Sequence, residues 1–386
     1  MLVTPVVPGD SGYGLRMRAG LLYRALVRLG DVRVIVVPVH AVCYEASGLC
    51  PADRLTVVDL NGAADVRADL VARVADPLER ARVAALHPRP SLSEAATIEV
   101  AQSVAGLVGG APLVLVMREY LAPYLDAVLD RHARPMCILD VDDVESTARR
   151  RSGEPAEAER YESLERHYLR RFDHILACSP TDASDLRGRY GIDAMVAPNA
   201  VNIPAPRRVS PRWDVLFVAN LSYAPNVAAA HWLCHEILPL MPDATVALVG
   251  LNPSAEVYSL RAENVFVSGT VPDVKPYYAA SRVVAVPLQT GGGTSIKVLE
   301  AFAHRRPVVS TTTGVRGLPV TADKHLLIAD EPQSFADACV RLLDDCSAGK
   351  RLSEAGYSLV QEQFAIERVT ASLSGALSRL TSNRGE

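Results

Sequence analysis

The sequence predicts two doubly wound α/β domains joined by a proline-rich link, and three observations carry that prediction. Short apolar segments alternate with amphipathic helical ones, the pattern of parallel strands covered by helices on both faces. A glycine-rich loop twice follows a strand and precedes a helix, at Pro8–Gly14 and at Gln289–Gly293. Between the halves, Val201 to Arg212 hold three prolines and no apolar periodicity, which marks a linker. The 386 residues suit two cores better than one.

In the first half the apolar segment Leu2–Val7 is followed by the loop Pro8–Gly14, and a helix then carries Leu15, Ala19, Leu22 and Leu26 on one face. Strands are predicted at Val32–Val37, Pro112–Met117, Met136–Leu139, His174–Cys178 and Met195–Ala197, with a charged amphipathic helix over 155–172. The second half opens at Trp213. Its predicted strands are Val215–Ala219, Thr245–Val249, Val265–Ser268, Val283–Leu288 and Pro307–Ser310, and its helices 226–240, 274–280 and 295–304. A last helix covers Phe364–Leu380. In such folds ligands lie outside the carboxyl ends of the strands, so the two glycine loops are expected to face each other across a cleft, one serving an acceptor and the other a donor.

Composition narrows the function. With 40 Lys+Arg against 44 Asp+Glu and a net charge of −4, no positive field draws the chain toward nucleic acid. The runs Arg149–Arg151 and Arg170–Arg171 read as solvated helix faces, which leaves only peripheral membrane contact open. The seven cysteines (43, 50, 137, 178, 234, 339 and 346) form no CxxC pair and read as thiols of a reducing, cytoplasmic compartment. No apolar run approaches the ~20 residues of a bilayer span.

Chemistry concentrates at Gln289–Glu300, QTGGGTSIKVLE. Backbone N–H groups at a helix start attract an anion, and Lys297 adds a full charge. Glu300, three residues on and on the same face, suits hydroxyl groups better than phosphate. Together they predict a sugar nucleotide: Lys297 and the N–H groups of Gly292, Gly293 and Thr294 neutralise a departing diphosphate, and Glu300 accepts from ribose hydroxyls. The alternative is a surface ion pair on a well-capped helix. Asn220, at a strand end, is a further candidate for donor contact, whereas Asn226 reads as the cap of the next helix.

Asp140-Val-Asp142-Asp143 has the look of a divalent-cation site. An arginine-rich stretch follows it, so the preferred reading places Asp142 or Asp143 against an acceptor hydroxyl, with Glu145 nearby and no metal. Arg118 either orients the acceptor or pairs with Asp142. The histidines show no metal spacing, His304 reads as a surface residue, and Ser11 and Ser179 lack a nucleophile elbow.

These segments resemble the GT-B fold glycosyltransferases, specifically the bacterial branch of retaining family 4 that acts in polysaccharide and natural-product assembly and carries a GGGTxxKxLEA donor motif. The likeness lies in LFVANLSYAPN (216–226), GTVPDVKPYYAAS (269–281), PLQTGGGTSIKVLEAFAHRRPVVSTTTGVRGL (287–318) and HLLIAD (325–330). Weaker matches are LDVDDVES (139–146), ACSPTDASDL (177–186) and APNAVN (197–202). The resemblance implies an acceptor domain over 1–204, a donor domain over 212–363, and a final helix, about 364–386, packed back on the first. Lys297 then contacts the diphosphate and Glu300 the ribose. Gln289, Thr290, Gly291, Gly292 and Gly293 lie against sugar and phosphates, Thr270 and Val271 near the base, and Gly12, Tyr13 and Gly14 in the acceptor loop. No cofactor or metal is implied, and the partners are a nucleotide sugar and a hydroxyl acceptor, small molecule or glycan, for a monomer or homodimer.

The chain departs from that family pattern in three respects. Gly292 and Ser295 stand where relatives carry glutamate and arginine, Asn220 to Asn226 hold no basic residue, and Asp142 replaces a histidine. Two other readings stay open: a GT-B-like epimerase or phosphorylase, which would share the two-domain cleft, and a non-catalytic nucleotide-sugar-binding partner of another transferase, which the missing basic residue and Asp142 motivate.

Overall fold

The computed structural model describes residues 1–40, 48–60, 89–206, 209–291 and 293–382. The chain forms two compact units: Met1–Asp10, Arg18–Pro198 and Thr370–Glu386 make one, and Ser11–Met17 with Asn199–Val369 the other. Cys43 and Gly292 lie outside the described residues.

The first unit is built on a parallel sheet of β1 (Leu2–Thr4), β2 (Val34–Val36), β3 (Leu55–Val57), β4 (Leu113–Met117), β5 (Met136–Asp142), β6 (His174–Ala177) and β7 (Met195–Val196), in the order β3-β2-β1-β4-β5-β6-β7. Every residue of β4 and β5 is buried, as near-continuous apolar strands covered on both faces must be. Helices α1 (Gly14–Val27), α2 (Ile98–Val108), α3 (Glu145–Arg151), α4 (Pro155–Tyr168) and α5 (Pro180–Tyr190) surround them. The local chemistry of α5 sets its ends: Ser179 caps it by accepting from the Asp182 N–H, Pro180 opens it, and Gly191 closes it at φ 67°.

The second unit repeats the plan, with β8 (Trp213–Asn220), β9 (Val246–Leu251), β10 (Val265–Thr270), β11 (Ser281–Val286), β12 (Val308–Ser310) and β13 (Leu327–Ile328) in the order β10-β9-β8-β11-β12-β13. All of its ladders are parallel. Its helices include α6 (Ala224–Trp232), α7 (Lys275–Ala279), α8 (Ile296–Ala303), α9 (Pro332–Asp344), α10 (Cys346–Gln363) and α11 (Ile366–Ser382), the last entering the first unit at Thr370. Each sheet has the strand order of a Rossmann fold. Its direction of winding reverses between β1 and β4 in one unit and between β8 and β11 in the other, and ligands collect at the carboxyl ends beside such a reversal.

The structure departs from the sequence reading at several points. The helix expected over 226–240 is regular only to Trp232, then widens over Leu233–Ile237 and tightens over Leu238–Leu240. Pro239 has no N–H to extend it. Strand β5 continues past Leu139 to Asp142, pairing Asp140 with Leu176 and Asp142 with Ala177 of β6, and the buried Arg18 guanidinium holds the Asp140 carboxylate through Nε (3.0 Å) and Nη2 (2.5 Å). The expected linker starts tied down: Val201 N–H donates to Phe364 at 2.9 Å, and Ile366 N–H to Val201 at 3.1 Å. Several residues of the basic runs are not free charge. Arg149 and Arg150 pair with Glu145, Glu154 and Glu162, and Arg171 with Asp126 and Asp130. Among the described residues no helix is long and apolar enough to cross a membrane.

Candidate functional site

In the second unit, the carboxyl ends of β8 and β11 bring Asn220, Asn226, Lys297 and Glu300 together. The turn after β11 requires glycine at two described positions, Gly291 at φ 138° and Gly293 at φ 69°. Hydroxyls from the neighbouring strand hold its entry: Thr311 donates to the Leu288 carbonyl and Thr313 to that of Gln289 at 3.4 Å. Gln289 itself is exposed, Thr290 partly buried and Thr294 buried. Ser295 occupies the cap position of α8 without a side-chain capping bond, and its Oγ is buried with no partner among the described residues. The first-turn N–H groups of α8 are therefore not taken up by a capping side chain.

Lys297 Nζ donates to Asn226 Oδ1 at 3.1 Å and lies 5.7 Å from the centre of the Phe217 ring. Among the described residues it forms no ion pair. Burial lowers its pKa to about 8, with Glu300 acting in the other direction. Asn226 was expected to cap its helix, and it does not. From the first turn of α6 its Nδ2 donates to the Asn220 carbonyl at 2.9 Å, so one amide ties the end of β8 to the lysine. Asn220 Oδ1 is occupied locally, accepting from Ser222 N–H (3.2 Å) and Oγ (2.9 Å).

Glu300 is not the lysine's ion-pair partner either. Its Oε2 accepts from Tyr278 OH at 3.3 Å, and burial raises its pKa to about 7 against the opposing pull of Tyr278 and Lys297. His304, expected on the surface, stacks on Tyr278 at 4.5 Å with its Nδ1 2.8 Å from the Glu300 carbonyl, and its Nε2 is buried without a partner. Tyr278 lies in the 269–281 stretch that carries the family likeness, but nothing local to it pointed to Glu300, 22 residues further along the chain. Thr270 and Val271 sit at the end of β10, where Thr270 Oγ1 accepts from Asn252 N–H at 3.0 Å and Val271 N–H donates to Gly250 at 3.1 Å.

The first glycine loop was expected with the acceptor domain, yet Ser11–Met17 packs with the second unit. Gly14 lies so close to Ile296, the residue before Lys297, that a Cβ there would stand 3.2 Å from its Cδ1. Gly12 has φ 108°, and Tyr13 accepts from Met17 N–H at 3.1 Å. Met17 is buried in an apolar cluster with Val218, Val249 and Leu299.

In the first unit, Arg118 after β4 and Asp142 at the end of β5 both hold left-handed backbones, φ 72° and 57°. Such strain collects at functional positions. Arg118 Nη2 pairs with Asp142 at 2.8 Å and Nη1 with Glu145 at 3.1 Å, and Arg149 meets Glu145 at 3.3 Å. With Asp140 held by Arg18 and Asp142 by Arg118, two carboxylates of the DVDD run are committed to arginines. Burial pushes Asp143 well above the usual aspartate range, the nearby Arg118 notwithstanding. No local pattern pointed to His40. Its Nε2 is 2.9 Å from Tyr120 OH, and burial, with Arg118 and Arg149, lowers its pKa to about 4, so it is neutral near pH 7.

Residues 212–345 match the family described as Glycosyl transferases group 1. An uncharacterized 44.6 kDa protein in the cps region of Klebsiella pneumoniae is 24% identical over 173 residues, 42% of this chain and 45% of that protein. The chain thus spans less than half the length of that curated relative. Among solved structures, sucrose-phosphate synthase from Thermosynechococcus elongatus superposes with a TM-score of 0.72 at 16% identity, over 99% of each chain. Anabaena HepE in complex with UDP and glucose gives 0.65 at 14%, over 97% of this chain and 99% of that one. A glycosyltransferase from Rickettsia africae gives 0.62 at 13%, over 96% of each. At these identities the structural likeness shows the fold, two Rossmann-like parallel-sheet domains of the GT-B kind. With the domain match it supports a glycosyltransferase.

Proposed function

We propose that the chain is a cytoplasmic, retaining family 4 glycosyltransferase that moves a sugar from a nucleoside-diphosphate sugar to a hydroxyl of a small molecule or glycan. The observation that carries this reading is the Lys297 ammonium beside a helix start that Ser295 does not cap, bonded to an amide oxygen and, among the described residues, to no carboxylate. A largely desolvated cation with no ion-pair partner among the described residues is costly until an anion arrives.

In this reading the donor diphosphate binds at the Gly291–Thr294 turn, where Lys297 and the first-turn N–H groups stabilise the charge that grows as the glycosidic bond breaks. Glu300, steadied by Tyr278, accepts from the ribose. The acceptor hydroxyl attacks on the face from which the diphosphate leaves, and a leaving-phosphate oxygen takes its proton. Arg118, Asp142 and His40 bind the acceptor. Lys297 and the helix start supply the positive charge, so the reading needs no resident metal. HepE, with the same fold, is described in complex with UDP and glucose.

Calorimetry in EDTA-containing buffer with UDP, GDP, dTDP and ADP tests the proposal. One diphosphate is expected to bind, and Lys297→Ala to weaken it about a hundredfold while leaving the bare nucleoside little changed. Equal losses for both ligands, or binding only when a divalent cation is restored, defeats the reading. Binding without any transfer to a hydroxyl acceptor, regained only with a second protein, points to a non-catalytic partner.

A further inference from the structure

Two glutamates with no exposed surface, Glu119 and Glu165, meet the start of α3 from different elements. Glu119 Oε1 accepts from Glu145 N–H at 3.0 Å, and Glu165 Oε1 accepts from the next amide, Ser146 N–H, at 2.9 Å. Carboxyl groups on consecutive amides of one helix turn are close neighbours, and two like charges so near each other and out of water cannot both be ionised. The donors around them are unequal. Glu165 also receives Ser146 Oγ at 2.6 Å and the Tyr190 hydroxyl, with Arg189 Nη2 at 3.9 Å. Glu119 receives one N–H, and its Oε2 accepts from no donor among the described residues. A bare oxygen facing a well-served carboxylate is the arrangement of an acid O–H donating to it.

We propose that Glu119 and Glu165 share one proton, carried by Glu119, and that the pair acts as a positioning element. It fixes the start of α3, and through Glu145 the side chains of Arg118 and Asp142. Burial first, then the neighbouring Glu165, raises Glu119 well above the ordinary glutamate range. The other charged and titratable groups around the pair include Glu145, itself bonded to Arg118 and Arg149; Arg189, shared with Glu162 and Asp185; Tyr190; Tyr120 beside Glu119; and Arg166 beside Glu165. Only the assignment of Arg118 and Asp142 to the acceptor rests on the transferase reading. The shared proton does not.

The test is thermal and chemical unfolding of the wild type, Glu119→Gln and Glu165→Gln across roughly pH 5 to 8. An acid whose folded pKa is raised confers its stability below the unfolded value and loses it as pH rises toward the folded one. The amide introduced by Glu119→Gln keeps a donor and does not titrate. The folding constant of that variant should therefore gain on the wild type by about tenfold per pH unit. Glu165→Gln should lose stability throughout, because its amide nitrogen cannot accept from Ser146. Amide exchange over α3 should be at wild-type rates in Glu119→Gln and about tenfold faster in Glu119→Ala. If neither glutamine variant folds, the infrared difference spectrum between the wild type and Glu119→Ala decides, since Asp143 and Glu300 also contribute protonated carboxyls and only a band that is present at neutral pH in the wild type and missing from Glu119→Ala belongs to Glu119. Parallel pH curves, Glu165→Gln as the harmless change, equal damage from Glu119→Gln and Glu119→Ala, or no such band overturns the proposal. None of these readouts depends on sugar transfer, so the function proposed above stands or falls separately.

Discussion

Asn226 Oδ1 accepts a hydrogen bond from Lys297 Nζ at 3.1 Å, joining the first turn of α6 to the first turn of α8. The same amide's Nδ2 donates to the Asn220 carbonyl at 2.9 Å, so the end of β8 aims the lysine through Asn226. Asn226→Ala should leave Lys297 charged but unaimed. Diphosphate affinity should then fall about tenfold, less than for Lys297→Ala, with nucleoside binding unchanged. Calorimetry on the two variants checks the ranking.

Lys297 and Glu300 also predict a bell-shaped pH dependence of ribonucleotide binding. Glu300, raised to about 7, is protonated below that pH and gains its full acceptor capacity above it. Lys297, lowered to about 8, loses its charge above that pH. Affinity should therefore be greatest between the two. The acidic limb should vanish in Glu300→Gln and move to higher pH in Tyr278→Phe, which removes the O–H that favours the carboxylate. A titration series in which both limbs survive in Glu300→Gln would contradict the assignment.

In the first unit, Arg118→Ala leaves the Asp142 and Glu145 carboxylates without their shared cation. Removing one partner of a largely buried ion pair costs roughly 3 kcal/mol or more. Asp142→Asn should cost less, since asparagine tolerates the left-handed φ of 57°. Urea denaturation of the two variants compares them directly.

Two glycines separate framework from site. A Cβ on Gly250 would stand 1.8 Å from the Ala219 carbonyl oxygen, and its φ is 147°. Gly250→Ala should cost upwards of about 4 kcal/mol, because both the backbone angle and the β8–β9 approach forbid it. Gly291 has φ 138° but nothing within 4 Å of a Cβ, so Gly291→Ala should cost only about 1–3 kcal/mol of strain. Its larger effect should appear in diphosphate binding. Thermal unfolding and calorimetry on both variants separate the two quantities.

Much of the architecture was legible in the chain because parallel strands are short apolar runs and helices repeat every three to four residues, both of them local signals. The strand, glycine turn and helix that carry Lys297 and Glu300 all lie within a few residues of one another, so sequence order alone brings them together. Strand β13, only two residues long, carried no such signal, and neither did the break in the helix after Trp232.

What the sequence by itself determined, then, was the two-domain α/β plan and the strand, glycine turn and helix that carry Lys297 and Glu300. Tertiary structure alone decided who partners whom. Arg18 lies 122 residues from Asp140, Lys297 lies 71 from Asn226, and His40 lies 80 from Tyr120. It also decided that Ser11–Met17 packs with the second unit and that Glu300 is steadied by Tyr278. The physical reason is that a buried polar group must find its partner wherever the fold delivers one. No pattern in the local sequence records which distant residue that is.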